Sequence, residues 1–248
     1  MTTTKHVCSS IQEARNHLTE LGFSIIQGIT PTDVARELNI GLPVIPSYYK
    51  NENTITLEGD GFLDISAKQN AEHRGFNSGE AQELHVDGTL YKMGGIKTTL
   101  LVCIEPAVTG GESIVFQACC AYETLSRNLQ IALQDIRALE RASVSLSTPE
   151  IVSDAVFTES HTYGLQTRFS IDNTSTWRFD LVPNLDEAYE KLMLLTTVGS
   201  PLFFEFKLNA GEILVLANDK VSHGRRAFVG NRRMLRGIYT SSHHQIIG

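Results

Sequence analysis

Ile11, Ala14, Leu18 and Leu21 recur three and four residues apart, behind a Ser10-x-x-Glu13 capping box and ahead of Gly22. That spacing predicts an amphipathic helix with a defined start and stop. Phe23-Ser24-Ile25-Ile26 then reads as a strand, and Thr30-Pro31 opens a second helix carrying Val34 and Leu38. An αβα opening over about residues 10–40 is of the kind that buttresses a β core.

From Gly41 to about Gln82 the periodicity fades into Gly, Asn, Pro and charged residues, among them Tyr48-Tyr49-Lys50 and Arg74-Gly75-Phe76-Asn77. Long irregular stretches of this kind are commonly binding loops. Ile96 to Ile104 is β-branched and predicts a strand, Gly110-Gly111 a turn, and Glu112 to Phe116 a second strand. Tyr122, Leu125, Leu129, Leu133 and Ile136 then form an apolar stripe, which predicts one helical tract over about 118–139. Residues 141–180 read as short polar strands and loops around the active site, and Asp186 to Leu195 as a helix. Leu202 to Phe206, Ile213 to Val215 and Met234 to Tyr239 supply the last strands. Many short strands with few helices and no βα alternation predict a mostly β protein with flanking helices and a jelly-roll core. With no internal repeat and no linker, residues 1–248 read as a single domain.

Composition narrows the function. A net charge of −7 and a pI near 5.6 leave no electrostatic footprint for nucleic acid. The start of the chain lacks an apolar signal region and no run approaches a membrane span, so the expectation is a cytoplasmic protein with no membrane partner. Cys8, Cys103, Cys119 and Cys120 form no Cys-x-x-Cys pair and read as reduced thiols. No Gly-x-Ser-x-Gly or His-Glu-x-x-His occurs, which argues against serine and zinc hydrolases.

The candidate chemistry lies in Glu83-Leu84-His85-Val86-Asp87-Gly88 and, far downstream, Asn218-Asp219-Lys220-Val221-Ser222-His223. A His-x-Asp triplet alone is weak, since roughly a third of such chains hold one by chance. In a strand, however, residues two apart share a face and can reach one ion. His223 follows the apolar run Glu212 to Ala217, where it can close the mouth of a barrel. Two imidazoles and a carboxylate occupy one face of an octahedral Fe(II) and leave the other positions open. His73, His161 and His243-His244 read as ordinary polar residues, and the lone Trp177 as core more readily than as a pocket wall.

These motifs, in this order, resemble the Fe(II)/2-oxoglutarate-dependent dioxygenases of the taurine dioxygenase and clavaminate synthase-like group. The resemblance rests on residues 80–126 and 202–240. It implies a double-stranded β-helix, cupin-like, with His85, Asp87 and His223 as metal ligands. Fe(II) would be the cofactor, with 2-oxoglutarate and O2 as co-substrates. Thr109-Gly110-Gly111-Glu112-Ser113 is similar to the segment whose hydroxyl holds the distal carboxylate of 2-oxoglutarate, which implicates Ser113 where the family more often has threonine. The family's co-substrate arginine lies on the strand after the distal histidine. One alignment selects Arg232, with Arg236 touching substrate; another selects Arg233, and the two differ in strand phase. Arg74, Asn77, Glu83 and Arg178 are further candidates for substrate contact. Asp87 favours hydroxylation over halogenation, because related halogenases carry a small residue there. Desaturation, cyclisation or epimerisation remain open from the same chemistry. The expected substrate is a small polar metabolite, an amino-acid derivative or a natural-product intermediate of secondary metabolism. A different class, a non-oxidative cupin-like isomerase or binding module, would share the metal site without the co-substrate residues.

Overall fold

The computed structural model describes residues 5–41, 43–44, 57–58, 62–65, 78–88, 91–142 and 150–240. Two antiparallel sheets face each other in a jelly roll. The larger runs in the order Phe23–Gln27, Glu212–Ala217, Ile96–Glu105, Arg233–Thr240, Phe62–Asp64, Leu57–Glu58. The smaller runs Phe203–Phe206, Ser113–Phe116, Ser222–Arg225, Gln82–His85.

Alternation along the strands decides what each face meets. On the larger sheet Leu101, Cys103, Leu214, Leu216 and Met234 point inward and pack with Val115 and Phe206 of the smaller sheet. Their neighbours Leu100, Val102, Ile213, Val215 and Leu235 point outward, where they pack with Ile11, Ala14, Leu18, Val34 and Leu38. The αβα opening is thus a buttress on the outer face, as its apolar stripes predict, with helices at Ile11–Leu21 and Pro31–Leu38. Ser10 caps the first helix by accepting from the Glu13 amide, and Gly22 ends it in the left-handed region at φ 75°.

The smaller sheet is covered on its far side. Leu84, Ile114, Phe116 and Phe203 pack there with Leu129, Leu133, Leu185 and Leu192. The expected single helix over 118–139 is instead two short helices, Ala118–Glu123 and Arg127–Leu133, followed by a strand at Leu139–Ala142. Ser126 adopts an extended conformation at φ −65°, ψ 154° and restarts the helix, so the apolar period continues across a break. Ile136 falls past the second helix and is 71% exposed. The expected helix at 186–195 is present at Leu185–Leu195, and 141–180 holds short strands joined by loops. Trp177 is a core residue. It packs against Phe169 and Tyr189 while its indole N–H donates to the Ser170 carbonyl at 2.9 Å.

Candidate active site

His85 ends its strand and pairs directly across the smaller sheet with His223. Residues opposed in antiparallel strands carry their side chains side by side, and the two imidazole centroids are 4.6 Å apart. Both rings point into the barrel, in phase with Val115 and opposite to Leu84. Asp87 lies two residues beyond the strand end, not within it, in a turn that Gly88 makes possible at φ 88°. A Cβ on Gly88 would come within 2.6 Å of Ile96 Cγ1. One donor atom from each of His85, Asp87 and His223 lies within 4.8 Å of the others.

The surroundings dispose these three side chains to hold an ion. A carbonyl can only accept, so the 2.9 Å contact of His85 Nδ1 with the Glu83 oxygen places the ring proton on Nδ1 and leaves Nε2 as a lone-pair donor. Burial, and then the neighbouring His223, push the His85 imidazole down to about 4, so it is neutral at physiological pH. For Asp87 burial alone would raise the carboxyl, yet Arg236, His223 and His85 outweigh it and hold it well below the usual carboxylate range. Thr99 donates to Asp87 Oδ2 at 2.8 Å and Arg236 to Oδ1 at 3.1 Å. His223 Nε2 is 3.5 Å from Asp87 Oδ2, and its buried Nδ1 has no hydrogen-bond partner among the described residues. Two imidazoles beside an ionised carboxylate form a donor set that suits Fe(II).

Several residues that shape the site went unassigned in the sequence. Asn218, 1% exposed, accepts from the Asp87 amide at 2.9 Å and donates to the Asp87 and Ile96 carbonyls, both at 3.1 Å. It fixes the backbone of the turn that carries the carboxylate. Thr99 orients the carboxylate itself. Asp172 lies close enough to His85 and Arg141 that both oppose the effect of its burial and keep its carboxyl low. The only sequence signal for Asn218 is its place in the block before His223; for the others there is none.

The three competing arginines separate by strand phase. Arg232 and Arg236 are in phase with inward Met234 and are both buried. Arg233 is out of phase, and its guanidinium meets Asp64 at 3.2 Å with 39% of the side chain exposed. Arg232 lines one pocket with Ser113, Gly111, Cys103 and Met234. Gly110 and Gly111, at φ 72° and 75°, bring this turn against the chain at Ala227 and Phe228, where a Cβ on Gly110 would be 2.1 Å from the Ala227 oxygen. Arg225 pairs in register with Ser113, and Arg225 and Arg232 both lie over the Phe228 ring, 4.7 and 5.5 Å from its centroid. Burial pushes the Arg232 guanidinium down to about 10, which leaves it a cation at neutral pH.

The expected substrate contacts fare differently. Arg178 is taken up by Asp180, at 2.8 Å, and by Glu140. That engagement makes it a pin between loop and strand. Glu83 contributes its carbonyl to His85. Arg74, Asn77, His73 and His243-His244 lie outside the described residues, and His161 is an exposed turn residue. A second pocket touches Asp87 and is lined by Lys92, Met93, Arg141, Arg168 and Asn218.

Comparison with known proteins identifies the family. The profile of the family described as Taurine catabolism dioxygenase TauD, TfdA family matches residues 4–239. A uridine-5′-phosphate dioxygenase of Amycolatopsis sp is 30% identical over 215 residues, covering 83% of this chain and 77% of that protein. A uridine-5′-phosphate dioxygenase of Streptomyces sp is 26% identical over 264 residues, covering 92% and 94%. Among solved structures, asparagine oxygenase in complex with Fe(II), (2S,3S)-3-hydroxyasparagine and succinate superimposes with a TM-score of 0.67 at 14% identity, covering 94% of this chain and 79% of that one. The isomerase or binding-module reading is thereby set aside: the chain belongs to the taurine catabolism dioxygenase TauD, TfdA family and is a dioxygenase.

Proposed function

We propose that this dioxygenase uses Fe(II) and 2-oxoglutarate to hydroxylate a nucleoside 5′-phosphate, with uridine-5′-phosphate the first candidate. The observation that carries the substrate reading is the pocket beside Asp87, where Lys92, Arg141 and Arg168 gather. A phosphate dianion needs such cations and their N–H donors. The two relatives named for uridine-5′-phosphate support it. The amino-acid derivative expected from the sequence has weaker support, because the asparagine oxygenase likeness, at 14% identity, is one of fold alone.

His85 through Nε2, the Asp87 carboxylate and His223 would hold the iron. When bound, Fe(II) with 2-oxoglutarate supplies activation of O2 at the cost of one decarboxylation to succinate. Arg232 pairs with the distal carboxylate of 2-oxoglutarate while the Ser113 hydroxyl donates to it. Thr99 and Arg236 hold the two Asp87 oxygens in place, and Leu101, Met234 and Val115 keep the surrounding space dry. Lys92, exposed at the rim, is free to swing onto the substrate phosphate.

The test is aerobic succinate formation with Fe(II), 2-oxoglutarate and, separately, uridine-5′-phosphate, uridine and L-asparagine. We expect succinate coupled to consumption of the nucleotide, with kcat/KM for uridine lower by roughly 10²-fold or more, because the contacts of the phosphate with Lys92, Arg141 and Arg168 are then lost. Equal turnover of uridine, or turnover of asparagine alone, would overturn the reading.

A further inference from the structure

A second constellation of metal-binding side chains sits on the outer face of the larger sheet, away from the barrel interior. Glu13 and His17 are one helical turn apart on the first helix, the i, i+4 spacing that places two side chains on one face. His6 reaches them from the segment that leads into that helix: its Nε2 is 2.6 Å from Glu13 Oε1, and its ring centroid is 5.0 Å from that of His17. One donor atom each from His6, Glu13 and His17 lies within 4.8 Å of the other two. We propose that His6, Glu13 and His17 form a second divalent-metal site, suited to Zn(II), that is separate from the iron centre.

The surroundings organise the three donors as metal ligands are organised elsewhere. Glu13 Oε2 is committed to Ser9, accepting from its amide at 2.6 Å and its hydroxyl at 3.0 Å, which leaves Oε1 facing the imidazoles. The buried Cys8 sulfur lies 3.3 Å from His17 Nδ1. With the Nδ1 proton donated to that sulfur, the contact fixes the plane of the imidazole and leaves the Nε2 lone pair for an ion, the arrangement that outer partners give to ligating histidines. Cys8 is itself anchored: its amide donates to the Ile25 carbonyl at 2.7 Å. Around a tetrahedral zinc, neighbouring nitrogen and oxygen ligands stand about 3.3–3.5 Å apart. His6 is 61% exposed in its side chain and can turn by the small amount that this geometry asks. Two imidazoles and one carboxylate leave a fourth position for water. In effect the ion would staple residues 6–8 onto the first helix and so onto the edge strand Phe23–Gln27.

The donor set matches that of the iron centre in kind, so the experiment must count ions per chain. Zn(II) titrated into metal-free protein against a chromophoric chelator should load two equivalents in the wild type and one in Asp87→Ala. It should load none in Asp87→Ala combined with His17→Ala. In the Asp87→Ala background the exposed substitution His6→Gln, which removes a ligand without touching the core, should weaken the remaining equivalent by about 10²-fold or more. Cys8→Ala, acting through His17, should weaken it by about 10–100-fold with the stoichiometry kept at one. His6→Gln alone should leave oxygenase turnover unchanged. A wild type that binds a single equivalent, or a residual equivalent in Asp87→Ala that His6→Gln and His17→Ala do not affect, would overturn the proposal.

Discussion

At the scale of single residues, the site is a set of neighbours that keep the His85 imidazole neutral and the Asp87 carboxylate charged. Asp87→Asn keeps the shape and an acceptor oxygen for one of Thr99 and Arg236 but removes the charge, so O2-dependent succinate formation should fall to background while circular dichroism stays unchanged; retained turnover would remove Asp87 from the ligand set. Arg232→Ala should raise the KM for 2-oxoglutarate by on the order of 10²-fold, since truncating one side of a buried charge pair costs about 2–5 kcal/mol. Arg233→Ala, which cuts a half-exposed pair with Asp64, should change that KM less than twofold and stability by about 0–1 kcal/mol. Reversed effects would reassign the co-substrate contact to Arg233. The three candidate ligands were legible in the sequence because their types and order carry the chemistry, and the fold brings them together. Thr99 and Asn218 were not, because a threonine in a strand and an asparagine in a turn look the same whether or not they hold a carboxylate.

At the scale of elements, what matters is which face a strand presents. The sequence left Arg232 and Arg233 in competition because a strand's phase cannot be read without knowing which neighbours are buried. Packing of Met234 against Cys103 and Val115 turns Arg232 toward the interior and Arg233 toward Asp64. The turn after the ligand strand depends on Gly88 and on the three hydrogen bonds of Asn218. Gly88→Ala would place a Cβ 2.6 Å from Ile96 Cγ1 at a φ that alanine rarely adopts. A loss of about 1–3 kcal/mol in urea unfolding is expected, together with weaker metal binding. If stability and metal affinity are both unchanged, the turn is not what places Asp87. The misread tract over 118–139 has a similar origin. Tyr122, Leu125, Leu129 and Leu133 keep helical spacing across Ser126, so periodicity alone gives no sign that the backbone is extended there.

At the scale of the whole molecule, both sheets contribute to the same interior. Ser113, His223 and His85 come from the smaller, while Thr99 and Arg236 come from the larger and Arg232 immediately precedes its strand Arg233–Thr240. The jelly roll was legible from the count of short strands and the two flanking helices. Substrate choice was not, because the long irregular stretches carry no periodic signal. With Ser113 and Arg232 sharing the distal carboxylate as proposed, 2-oxoglutarate added to the Mn(II)-loaded protein at about 100 times its Kd should stabilise it by about 2.7 kcal/mol, or roughly 5–10 °C in Tm. Arg232→Ala should abolish that increment, and an equal increment in the variant would separate Arg232 from co-substrate binding.

The cross-strand pairing of His85 with His223, and the hold of Asn218 on Asp87 across 131 residues of chain, also bear on when the protein becomes reactive. Such distant pairings form late, after the loop-closure entropy of the intervening chain has been overcome. A nascent or partly folded chain therefore offers iron at most the neighbouring His85 and Asp87, without His223 and without the barrel around them. The oxidising power of the metal is thus available only once the walls that confine it have closed.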